Sequence, residues 1–100
     1  METVHSINWI RSNPTVRGGS PCLVGTGLRV IDVIMAHLFH TRTPSELATD
    51  YGITLAQVYA IFSYYYDHKS ELDADIRQQI MQDEQLAEQS LGIKTTSILS

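Results

Sequence analysis

Apolar residues recur along this chain at two periods. Residues 3–10, Thr-Val-His-Ser-Ile-Asn-Trp-Ile, alternate loosely and include β-branched and aromatic side chains, which predicts a short strand. A turn-rich stretch follows, broken by Asn13–Pro14 and Gly18–Gly19. Residues 22–30 read as two short β segments around Gly25 and Gly27, a hairpin. From Val30 the period lengthens. Val30, Ile31, Ile34, Met35 and Leu38 have helical spacing and predict a helix over 30–39. It should end in the loop before Pro44, because the residue preceding a proline is pushed away from helix.

Two further helices carry their own start signals. Thr43 is placed as an N-cap, with Pro44 at the first helical position and Glu46 closing a capping box. Leu47, Ala48 and Tyr51 form the inner face, and Gly52 can take the left-handed conformation that ends the helix. Thr54 and Gln57 form a second capping box. Leu55, Val58, Ile61, Phe62 and Tyr65 then make an apolar stripe at steps of three and four. From Ser70 a fourth helix runs to Gly92 with a thin stripe of Leu72, Ile76, Ile80 and then Leu86 or Ala87. Residues 93–100 are β-prone and too short to fold alone. These elements divide the chain into residues 1–68, a β arm with a helical domain, and residues 69–100, a helix and tail.

The spacing of Ala48, Gly52 and Val58 is that of a helix-turn-helix. Ala48 is small enough for the next helix to cross closely, Gly52 supplies a positive φ, and Ile53 and Val58 fill the wedge. In DNA binders of this geometry the second helix enters the major groove by its N-terminal residues. The outward positions here are Thr54, Ala56, Gln57 and Ala60. Gln57 could read adenine bidentately, or serve only its capping box. Arg42, Thr43 and Ser45, at the preceding helix start, could meet phosphate. Arg42 reads equally well as a solvated loop residue.

Composition narrows this picture. Apolar residues make up 43% and charged residues 18% of the chain, a globular balance. No apolar run approaches the roughly 20 residues that span a bilayer, and the N-terminus lacks a signal-peptide pattern. A single cysteine, Cys22, allows no internal disulfide and suits a reducing cytoplasm. The net charge of −4 resides wholly in residues 67–100, since residues 1–66 sum to zero. No strongly basic nucleic-acid footprint is present, so DNA contact would rest on a few local arginines or on a dimer pooling them. A homodimer is expected, because the polar fourth helix and the N-terminal strand both look under-supported in a lone chain.

Enzyme chemistry finds little purchase. The stretch Arg17–Gly27 holds four of the six glycines, yet no Lys-Ser/Thr follows as a phosphate loop requires. Its glycines also miss the one-three-six spacing of a dinucleotide loop. Cys22 has no base beside it, and Asp67 and His68 are merely adjacent in sequence. His37 and His40 lie three apart, with no Cys or carboxylate spacing to complete a metal site. Tyr64, Tyr65 and Tyr66 point in three directions on a helix and make no flat stacking platform. No catalytic residue, metal or cofactor is therefore expected.

Asn13–Pro14, Val16, Gly19, Pro21, Gly25–Thr26, Val30, Ser45, Glu46, Tyr51 and Tyr65 together follow a recognisable pattern. Over residues 7–68 the chain resembles the bacterial family catalogued as domain of unknown function 433. Two departures stand out: Gly27 occupies the place of an arginine after Gly-Thr, and Ser20 that of a lysine after the glycine pair. The resemblance implies a mainly α, homeodomain-like or winged-helix-like helix-turn-helix domain with a short N-terminal β arm and a C-terminal acidic helix. It also implies an antitoxin encoded beside a PIN-like ribonuclease toxin. The helix-turn-helix would then bind operator double-stranded DNA, and residues 69–100 would contact the toxin. Arg17 and Arg29, flanking the arm's glycine-rich stretch, are candidates for contact with DNA or with a partner subunit.

Overall fold

The structure, a computed structural model, describes residues 8–91. Most of the strand expected over 3–10, and the tail 93–100, lie outside the described residues. The architecture is mainly helical with a short two-stranded N-terminal sheet. Strands β1 (Ile10–Arg11) and β2 (Cys22–Leu23) pair antiparallel, Ile10 opposite Leu23 and Arg11 opposite Cys22. Cys22 also bridges Arg29, so β2 has a neighbour on each side. The expected hairpin is thus present in minimal form. Leu23 N–H donates to the Leu28 carbonyl at 2.9 Å, and Gly25 takes φ +79° in the turn. The Asn13–Pro14 turn is held by the Asn13 side chain, whose Oδ1 accepts from Thr15 N–H (3.0 Å) and Oγ1–H (2.8 Å).

Three helices follow: α1 (Val30–His40), α2 (Pro44–Tyr51) and α3 (Leu55–Asp67). α1 starts where Asp32 accepts from the Arg29 N–H at 3.1 Å. It runs one residue beyond the sequence expectation and ends at Thr41, whose φ of +52° and ψ of +31° leave the right-handed helix. The stop is therefore local to Thr41, two residues before the pre-proline position. α3 packs on α1, α2 and β1. Their shared core is Leu23, Val30, Val33, Ile34, Leu47, Val58 and Ile61, all buried. In α3 the expected stripe is only partly correct. Val58, Ile61 and Tyr65 are buried, but Leu55 is 43% exposed. Leu55 shares the first turn of α3 with the buried Val58 but lies at the edge of the stripe, beside half-buried Phe62, off the line of Val58, Ile61 and Tyr65.

The chain divides into two compact units, the second beginning at Ser70. Helix α4 (Lys69–Leu91) is 23 residues long, about 34 Å at the usual rise. Within the second unit, residues 70–91 carry six acids and one cation, Arg77. Glu71, Asp73 and Asp75 lie in the early turns, where the positive end of the helix dipole favours them. Gln79 donates to Asp83 one turn on, at 2.9 Å. No helix among the described residues is long and apolar enough to cross a membrane.

Candidate nucleic-acid interface

The α2–α3 pair is positioned by two reciprocal caps. Thr43 Oγ1 accepts from Glu46 N–H at 3.2 Å, and Glu46 Oε1 accepts from Thr43 N–H at 2.9 Å. Thr54 Oγ1 accepts from Gln57 N–H at 3.1 Å, and Gln57 Oε1 accepts from Thr54 N–H at 2.8 Å. Between the helices, Gly52 adopts φ +65°, and Ile53 N–H returns to the Ala48 carbonyl at 3.0 Å. A Cβ at position 52 would meet nothing within 4 Å, so the backbone angle, not space, selects glycine.

Thr54 and Ala56 are exposed at the start of α3, while Gln57 and Ala60 are half-buried. Thr43 and Ser45 are exposed at the start of α2. The two groups stand at opposite ends of α2, about 12 Å apart along its axis. Gln57 has its carbonyl oxygen committed to the cap. Bidentate reading of adenine needs that oxygen and the amide nitrogen together. DNA reading by Gln57 therefore asks this oxygen to serve the Thr54 N–H and the base together, one through each lone pair.

Arg42 is held as firmly. Its Nε and Nη2 fork onto Asp50 Oδ2 and Oδ1, both at 2.8 Å, and Nη1 reaches Glu46 Oε2 at 3.1 Å. The Arg42 carbonyl accepts from His37 Nδ1 at 2.8 Å, pinning the α1–α2 loop. Arg42 holds Asp50 below the ordinary carboxylate range. Glu46 is lowered first by the Thr43 N–H it accepts, then by the Thr43 side chain, with Arg42 a smaller cause. A phosphate at Arg42 thus meets a guanidinium already shared between two carboxylates. No lysine or arginine occurs from residue 43 to 68.

The arm arginines converge on Asp32. Arg29 Nη2 lies 2.7 Å from Asp32 Oδ1, and Arg17 Nη1 lies 3.9 Å from Oδ2. Arg17 Nη1 also donates to the Gly27 carbonyl at 3.0 Å. Cys22 is buried with its Sγ 3.3 Å from the Ser20 carbonyl, and burial pushes the thiol pKa up. Sequence reasoning missed Asp32 and Asp50 as the partners of these arginines. The Glu46–Asp50 spacing of one helical turn was a usable signal. The Arg42–Asp50 spacing of eight was not, because it crosses from loop to helix.

A paired β arm leading into three short helices, with the second and third capped at either side of a glycine turn, defines a small mainly helical domain. The chain belongs to the family described as protein of unknown function (DUF433), which matches residues 10–65. No curated protein and no solved structure matches it.

Proposed function

We propose that this chain is the antitoxin of a toxin–antitoxin pair. It acts in the cytoplasm as a homodimer, restrains a PIN-like ribonuclease through residues 69–100, and binds operator DNA through the α2–α3 pair. The observation that carries the reading is the separation of charge. Residues 70–91 bear a net charge of −5 on one long, thinly apolar helix. A ribonuclease surface attracts phosphate and is complementary to such a helix. The β-prone sequence 93–100 would add to the contact by pairing with a sheet edge or filling a groove on binding. Family membership supports the antitoxin role through the resemblance set out above.

A second reading, an interaction module without DNA contact, is favoured by a specific observation. The α2–α3 surface has no cation besides Arg42, and Arg42 is engaged by Glu46 and Asp50. DNA affinity on the first reading therefore draws on Arg17 of the arm, whose side chain is 45% exposed. A mobility-shift assay on the chain's own upstream DNA separates the two. Operator binding predicts a salt-dependent shift weakened by Arg17→Gln and by Gln57→Ala. A chain that leaves this DNA unshifted at low salt is the interaction module alone.

A further inference from the structure

The arm lines a half-open cavity of about 170 Å³ that the reading above does not use. Three of its lining side chains can donate to a ligand, Ser20 from a buried position and Arg11 and Asn13 from exposed ones. Ser20 Oγ is buried and has no hydrogen-bond partner. Asn13 Oδ1 accepts from Thr15, which leaves its exposed NH2 available to donate. Among the described residues no ion pair engages Arg11, unlike Arg17, Arg29 and Arg42. The remaining wall combines the apolar side chains of Val16, Leu23 and Val24 with Cys22, Gly25 and Thr26, whose hydroxyl donates to the Leu23 carbonyl at 2.8 Å.

We propose that this cavity binds a carboxylate carried on a short aliphatic stem. Arg11 supplies the charge, and the Ser20 hydroxyl and Asn13 amide donate to the carboxylate oxygens. Val16, Leu23 and Val24 cover the methylenes. A cavity of this volume has room for several waters, and so for a glutamate side chain or a small dicarboxylic acid in their place. Phosphate suits the site less. Its oxygens point in four directions, and some would face the apolar wall without a donor. The inference stands apart from the antitoxin reading and from any contact with DNA.

The test is a titration of the full-length, isotope-labelled chain followed by amide NMR shifts, at constant ionic strength. The ligands are glutarate, N-acetyl-glutamate amide and inorganic phosphate. The two carboxylates should saturate, with shifts centred on Asn13, Ser20 and Thr26. Tighter binding of the blocked glutamate assigns the site to a polypeptide's acidic side chain, and tighter glutarate binding to a free acid. Arg11→Gln should weaken either ligand about tenfold or more, the loss of one charge-assisted contact. Ser20→Ala should weaken binding while raising the Tm of the free protein, since it deletes an unsatisfied buried hydroxyl. Phosphate binding as tight as the carboxylates, or unsaturable shifts indifferent to Arg11→Gln, would overturn the proposal.

Discussion

Single side chains decide how this small domain handles its few charges. The Arg42 fork on Asp50 joins the N-terminal and C-terminal ends of α2, and Glu46 is shared between that fork and the Thr43 cap. Both carboxyls titrate below their ordinary values in the folded chain. A lowered folded pKa adds stability that is complete above the unfolded value and is lost as pH falls through the folded one. The contribution is thus present above about pH 4.5 and fades in more acid solution. Asp50→Asn should lower stability at pH 7, and the gap to the parent should narrow at pH 3. Urea unfolding at the two pH values measures this, and an equal gap at both would remove the fork from the account. None of this was legible from Arg42 alone, because a loop arginine gives no sequence sign of which helix will receive it.

Elements were far easier to read than contacts. Thr43, Glu46, Thr54 and Gln57 announce two helix starts because capping acts over three residues, and Gly52 announces the turn because few other residues accept its φ. The α3 stripe was read less well. Periodicity marks an apolar stripe but does not say how much of its width the neighbouring helices cover. Ile61 is fully buried in the middle of α3, and Leu55 is 43% exposed at its start, though both belong to the same stripe. Ile61→Ala should therefore cost about 3 kcal/mol, while Leu55→Ala should cost less than about 1 kcal/mol. Chemical denaturation of the two variants gives the comparison. Equal losses would mean that Leu55 is covered as Ile61 is. The arm was legible as a hairpin through Gly25, but the cavity inside it was not. Its donors come from residues 11, 13 and 20, which no local period connects.

For the whole molecule, the sequence already set out the division of charge that the proposed function uses. Residues 70–91 are strongly acidic, and the cations of the preceding unit gather mainly on its arm. What sequence could not show is that Arg29 and Arg42 are each matched to a carboxylate, which leaves the α2–α3 surface poor in free positive charge. Protein contact through the acidic helix is accordingly the central claim, and DNA contact is secondary to it. The direct measurement is RNA cleavage by the PIN-like ribonuclease proposed as this chain's neighbour-encoded partner, once purified, titrated with the full-length protein. The account predicts that cleavage falls to background at a fixed stoichiometry, and that reversing Asp83, Glu84 and Glu88 to lysine restores it. Undiminished cleavage in the presence of excess chain would contradict it.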